Sequence, residues 1–136
     1  LNDRWPGFDD SLYNTARLLE IIAREPSPSD GGPKFSDWFD DLPNYASTGE
    51  AKIPLTTNRR EIMDLVERIF SDMKYSSVDG VRVSYPEGWF LCRPSNTEPI
   101  LVMRAEANDE EGLVKIKQDV EERLGEIINL EKFHNA

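Results

Sequence analysis

Residues 78 to 107, "VDGVRVSYPEGWFLCRPSNTEPILVMRAEA", constrain the fold more than any other stretch of the chain. Val81, Val83 and Tyr85 alternate with Arg82 and Ser84, the period-two pattern of a half-buried strand. Pro86, Glu87 and Gly88 are turn formers, and Trp89 to Arg93 reads as the returning strand of a β-hairpin. After a short polar loop, "PILVMRAEA" reads as a further strand. Three strands joined by connections this short predict a mostly antiparallel sheet, because parallel neighbours need a crossover of a dozen or more residues.

The flanking sequence predicts what covers that sheet. "NRREIMDLVERIFSDM" offers Asn58 as a cap with Glu61 three residues on, then Ile62, Leu65, Val66, Ile69, Phe70 and Met73 on one helical face. "NDEEGLVKIKQDVEERLGEIINL" places Leu113, Ile116, Val120, Leu124 and Ile127 on a second such face, opened by Asn108 and three acids. "AKIPLTT" is short and strand-like, and Pro54 puts it at an edge or a strand end. The tail "EKFHNA" is expected to fray. From about residue 50 the order is strand, helix, three strands, helix, and the economical architecture is α+β: a small, mostly antiparallel sheet with two helices on one face.

Upstream, "FDDSLYNTARLLEIIARE" carries Leu12, Ala16, Leu19 and Ile22 at helical spacing behind Asp9 and Asp10, predicting a helix from about residue 9 to 24. "PSPSDGGPKFS" concentrates Pro, Gly and Ser over residues 26 to 36, the composition of a connector. In "FSDWFDDLP", Ser36 is expected to cap a short helix that Pro43 ends and that buries Trp38 and Phe39. A domain boundary is expected between residues 26 and 48.

With 136 residues, 38% of them hydrophobic, the chain has material for one core and not for two. No stretch approaches the roughly 20 apolar residues that span a bilayer, and the opening "LNDRWPGFDD" lacks the pattern of a signal peptide. A single cysteine, Cys92, fits a reducing compartment, so a cytoplasmic location is the expectation. The net charge of −10, from 16 basic and 26 acidic residues, should repel nucleic acid and anionic lipid, and neither is expected as a partner. An anionic ligand must therefore be held by a local cluster of donors.

"CRPSNTEP", residues 92 to 99, is such a cluster. Arg93 offers a planar fork that matches two phosphate oxygens, Ser95 and Thr97 offer hydroxyls, and Asn96 offers an amide. The N–H groups of residues 95 to 98 add dipoles, and Asn96 tolerates the left-handed backbone that turns successive N–H groups inward as an anion nest. Pro94 and Pro99 stiffen both ends. The same residues are also ordinary turn formers, so composition alone leaves an anion cradle and a plain hairpin loop both open.

"GWFLCRPSNTEPILVMRAEAND" resembles the signature of the last domain of the α-D-phosphohexomutases. "VDGVRVSYPEGW" is similar to the hairpin before it in bacterial phosphomannomutase/phosphoglucomutase, and "GFDDSLYNTARLLEII" to the helix that ends the third domain of those enzymes. The resemblance implies that residues 1–25 are the end of a third domain, residues 26–47 a hinge with a short helix, and residues 48–136 a fourth domain of TATA-box-binding-protein-like topology. It also implies that Arg93, Ser95, Asn96 and Thr97 grip the substrate phosphate that is not being transferred. The parent enzyme interconverts hexose 6-phosphate and hexose 1-phosphate through a bisphosphorylated sugar, using a phosphoserine and Mg²⁺. The family's phosphoserine, its aspartate-rich Mg²⁺ loop and its sugar-recognition loop do not occur here, so no catalytic residue, metal site or cofactor is expected on this chain. It is expected to be an inactive C-terminal fragment whose partners are hexose phosphates and the parent's other domains.

The alternatives are a phosphoglucosamine mutase fragment and, from a different class, a non-catalytic protein-interaction module presenting an apolar patch of Leu1, Trp5, Phe8 and Leu12. Among the remaining features, Cys92 is expected on the opposite sheet face from Arg93, as a buried structural thiol. Arg82 and Arg104 are read as solvated sheet residues. Glu98 should point outward, toward Arg104 or a backbone N–H. His134 stands alone, without a metal-ligand partner. Asp9-Asp10 and Asp109 to Glu111 are read as helix-start acids.

Overall fold

The computed structural model describes residues 10–136. Asp9 and the patch residues Leu1, Trp5 and Phe8 lie outside the described residues. The chain divides between Pro43 and Asn44 into two units.

In the first unit, helix α1 spans Ser11–Ile22, and Asp10 caps it by accepting the Tyr13 N–H at 2.9 Å. None of its residues is buried, and Leu12 and Leu19 are 83% and 59% exposed. A 3₁₀ turn follows at Pro28–Asp30 and another at Phe35–Phe39. The second corrects the predicted short helix. It starts one residue before Ser36, and it is Asp37 that anchors it, accepting the Lys34 N–H at 2.9 Å. Phe39 is exposed and Trp38 half-buried instead of buried. Five residues of 3₁₀ turn have no wide apolar face to bury, and the rings pack on one another: Phe35 meets Trp38 and Phe39 edge-on at 5.3 and 5.1 Å.

The second unit is the predicted α+β arrangement. Its strands are β1 (Ala46–Ser47), β2 (Ala51–Pro54), β3 (Tyr75–Ser76), β4 (Val81–Ser84), β5 (Gly88–Pro94) and β6 (Ile100–Ala107). They form one sheet in the order β1-β6-β5-β4-β3, with β2 also pairing β6, and every pair is antiparallel. Between β1 and β2, Thr48 bridges the edge: its hydroxyl accepts the Ala105 N–H at 2.9 Å, and its own N–H donates to the Ala105 carbonyl. Pro54 ends β2, where its missing N–H leaves no donor unmatched within the ladder.

Helices α2 (Arg59–Ile69) and α3 (Glu110–Leu124) cover one face. Asn58 caps α2 by accepting the Arg60 N–H. The cap of α3 is Asp109, not Asn108: its carboxylate accepts the Gly112 N–H at 2.7 Å. Alternate sheet residues point into the core, among them Ile53, Val81, Val83, Phe90, Cys92, Leu101 and Met103, against Ile62, Val66 and Phe70 of α2 and Leu113, Ile116, Val120 and Leu124 of α3. Cys92 is fully buried there, and burial pushes its thiol up to about 12. Arg123 clasps the two helices, with a two-pronged contact to Asp72 at 2.9 and 3.0 Å and a bond to the Ile69 carbonyl. Its Nε donates to Asp119, which also accepts the Tyr85 hydroxyl.

Two expectations fail at the C-terminal end. Ile127 is 45% exposed because α3 stops at Leu124, so the helical period no longer applies, and Ile128 is buried instead. The tail does not fray. Glu131–His134 forms a short helix, α4, whose Phe133 is fully buried and meets the Phe90 ring edge-on at 5.6 Å. Lys117 donates to the His134 carbonyl, and the His134 ring lies 2.6 Å from the Glu121 carboxylate.

Candidate anion-binding site

The sheet face opposite α2 and α3 holds the residues that alternate with the core. Register places Arg93 of β5 beside Val102 of β6, which lies beside Lys52 of β2. The next row sets Leu91 between Arg82 and Arg104. In a chain of net charge −10, four cations thus share one sheet face. Arg82 and Arg104 are already engaged there: the Arg82 guanidinium lies 4.8 Å from the Trp89 ring centre, and Arg104 pairs with Glu106 at 3.5 Å. Glu98 is exposed, in the direction expected, but Arg104 takes Glu106 as its carboxylate.

Arg93 sits near the end of β5, and the candidate loop runs from Ser95 to Pro99 before β6 begins. These are central strands, so the loop lies at one end of the sheet rather than along its edge. Its internal order comes from Ser95. The Ser95 N–H donates to the Ile100 carbonyl at 2.9 Å, and the Ser95 hydroxyl oxygen accepts the N–H groups of Thr97 and Glu98 at 3.3 and 3.2 Å. Thr97 Oγ1 lies 3.4 Å from Ser95 Oγ.

That pattern corrects the nest. Among the described residues no non-glycine residue has a positive φ, so Asn96 is not left-handed, and three of the four N–H groups expected to face an anion are engaged within the protein. A serine side chain that mimics a backbone acceptor closes the turn without left-handed geometry. Apart from the Asn96 N–H, the donors left to the loop are side chains: Asn96 and Thr97 are exposed at its tip, Ser95 is half-buried, and the Arg93 side chain is 32% exposed.

Arg93 has a second neighbour that its surrounding sequence does not announce. The turn between β3 and β4 carries Gly80 at φ 78°, and a Cβ there would come within 2.5 Å of the Arg93 Cβ and of the Cys92 carbonyl oxygen. Only glycine lets that turn lie so close. The contact brings Asp79 Oδ2 to 4.0 Å from Arg93 Nη1.

An apolar groove of about 540 Å³ lies on the other side of the sheet, lined by residues such as Ile53, Leu55, Ile62, Leu65 and Ile127. It contains none of Arg93, Ser95, Asn96 and Thr97. Among the described residues no group of three or more His, Cys, Asp or Glu converges as a metal site would require, and no helix is long and apolar enough to cross a membrane.

The chain is similar to proteins of known class. A family model described as "Phosphoglucomutase/phosphomannomutase, C-terminal domain" matches residues 50–123, a span that holds the Arg93 loop, α2 and all but the last residue of α3. "Phosphomannomutase/phosphoglucomutase" of Pseudomonas syringae is 42% identical over 118 residues, 85% of this chain and 24% of that protein. "Phosphoglucomutase" of Neisseria meningitidis serogroup B is 38% identical over 120 residues, 85% of this chain and 25% of that protein. "Probable phosphoglucosamine mutase" of Methanocella arvoryzae is 32% identical over 114 residues, covering 82% and 24%. A crystal structure of a phosphoglucomutase/phosphomannomutase family protein from Burkholderia thailandensis superposes with a TM-score of 0.67 at 38% identity, covering 90% of this chain and 25% of that one. The chain therefore spans about a quarter of the length of the relatives it matches.

Proposed function

The chain belongs to the phosphoglucomutase/phosphomannomutase family as its C-terminal domain, and from that membership we propose that it is the phosphate-gripping part of a phosphohexomutase. The parent enzyme interconverts hexose 6-phosphate and hexose 1-phosphate. Arg93, Ser95, Asn96 and Thr97 hold the phosphate that is not in transfer. The observation that supports this most is a partly exposed guanidinium on a chain of net negative charge, mounted on a central strand next to a loop whose Asn96 and Thr97 side chains are exposed.

The physical logic is positional. A sugar that receives phosphate at one end and gives it up from the other must bind in two opposite orientations, so its distal phosphate has to arrive at the same place each time. A pocket keyed to a tetrahedral dianion and indifferent to the ring meets that demand. Arg93 supplies charge and a fork, and the hydroxyls and amide supply direction. The names of the relatives span glucose, mannose and glucosamine phosphates, as a shared phosphate grip would allow.

Mg²⁺ and the phosphoserine belong, in this proposal, to the parts of the relatives that this chain does not span. Among the described residues no three His, Cys, Asp or Glu side chains come together to hold such an ion. Residues 26–47 act as the hinge between a third domain, of which residues 1–25 are the end, and this one. Its closure over substrate excludes water from the phosphoserine.

Titration of the isotopically labelled chain with glucose 1-phosphate tests the proposal. The amides of residues 93 to 98 should move, with millimolar affinity, because a charge-assisted contact contributes only about 1.5 to 3 kcal/mol. Arg93→Ala should abolish the shifts. Movement confined to the apolar groove, with a silent loop, would refute the assignment.

A further inference from the structure

Asp79 has no place in the grip described above, yet the fold takes trouble to bring it there. Gly80 is one of two glycines with positive φ among the described residues, and its missing side chain is what lets the β3–β4 turn press on Arg93. The resulting carboxylate is 4.0 Å from the guanidinium, within ion-pair range but beyond a hydrogen bond. Asp79 is 76% exposed and at a turn, so its side chain can leave Arg93 without disturbing any packing. Around it, Val102 is neutral and Lys52 cationic, while Arg82 and Arg104 hold partners of their own.

We propose that Asp79 is a positioning residue that competes with phosphate for Arg93: it takes the guanidinium when the phosphate departs and weakens the grip while the phosphate is there. This rests on the phosphate reading of Arg93. A bisphosphorylated sugar that must turn over between two half-reactions has to release its distal phosphate each time. A guanidinium abandoned with no counter-charge opposes that release, and a carboxylate poised beside it lowers the barrier by exchange. The same carboxylate repels the bound dianion, so equilibrium affinity falls as the off-rate rises.

The sign of one substitution decides the matter. If Asp79 only preorganised Arg93, its loss would weaken phosphate binding; if it competes, its loss tightens binding. Asp79→Asn keeps the shape of the turn and removes the charge. In the full 136-residue chain, titrated with inorganic phosphate at low ionic strength, the variant should bind about two- to fivefold more tightly than wild type, the factor corresponding to one exposed ion pair. The gain should disappear in high salt. The Arg93 Nε–H resonance of the phosphate-free protein should shift in the variant, which a merely structural role at an exposed turn would not produce, and Asp79→Glu should restore wild-type affinity. An unchanged or weaker affinity in Asp79→Asn overturns the inference. A wild-type loop that fails to respond to phosphate overturns the phosphate reading first, and is seen before any variant is compared.

Discussion

Phe133→Ala is the substitution that most severely tests the observed packing, because it strikes a residue in a tail that sequence alone gives no reason to order. Phe133 has no exposed surface, and its ring meets the Phe90 ring edge-on at 5.6 Å in the centre of the core. An aromatic side chain of this size buries about 150 to 250 Å², and at about 25 cal/mol per Å² its removal forfeits about 3 to 5 kcal/mol once the retained Ala carbon is discounted. Large-to-small replacements of buried phenylalanine fall in the same range of about 3 to 5 kcal/mol. The sheet unit, of about 90 residues, should have a total stability of about 5 to 14 kcal/mol, so the variant should lose a large part of its margin. Urea unfolding at 25 °C, followed by the fluorescence of the half-buried Trp89, should show a lower midpoint with an unchanged slope. The melting temperature should fall by about 15 to 25 °C. Lys132→Ala, one residue away and exposed, should change stability by less than about 0.5 kcal/mol. A loss below about 1 kcal/mol for Phe133→Ala would refute the packing and return the tail to a frayed state.

Three further outcomes are expected. Arg123→Ala should cost about 1 to 2 kcal/mol, reduced from the value for a buried charged network because the side chain is 26% exposed, and a double-mutant cycle with Asp72→Asn should show coupling. The hydrogen bond from Arg123 holds the Asp72 carboxyl below its ordinary 3.8, so the stabilisation it brings is complete above that value and is lost as pH falls through the depressed one. The stability difference between wild type and Asp72→Asn should therefore be constant from about pH 5 to 8 and shrink below about pH 4. Cys92, fully buried with its thiol pushed up to about 12, should resist alkylation in the native protein, with a labelling rate that rises only as urea unfolds the sheet unit.

What the sequence makes legible here is what repeats locally. The apolar period of α2, that of α3 as far as Leu124, the Asn58 cap and the Val81–Ser84 alternation each sit inside one short window, and each appears in the structure at the predicted place. Features that depend on distant partners do not announce themselves. Phe133 stands among Glu131, Lys132, His134 and Asn135, too few residues for a period, and it is ordered by distant partners such as Phe90, some forty residues earlier in the chain. The two-residue strands β1 and β3 exist because the edges of β6 and β4 offer them hydrogen bonds.

The site divides in the same way. The donor chemistry of Arg93, Ser95, Asn96 and Thr97 can be read from four nearly adjacent residues. The loop's internal bonding cannot, because Asn96 and Ser95 are both competent turn formers and only the geometry shows that Ser95 closes the turn. Asp79 is hidden for a different reason. It reaches Arg93 through the β4–β5 register that pairs Val81 with Cys92, and an Asp-Gly turn read alone carries no hint of that neighbour.

Whether the Arg93 loop is where a sugar phosphate is held can be seen in a crystal structure of this chain soaked with glucose 1-phosphate. Phosphate density is expected within about 3 Å of the Arg93 guanidinium and of the loop's side-chain oxygens, the distance of a charge-assisted hydrogen bond, with the sugar ring weakly ordered outside it. Phosphate bound elsewhere, in the groove lined by Ile53 and Leu65 or along Lys52 alone, with Arg93 still turned to Asp79, would contradict it.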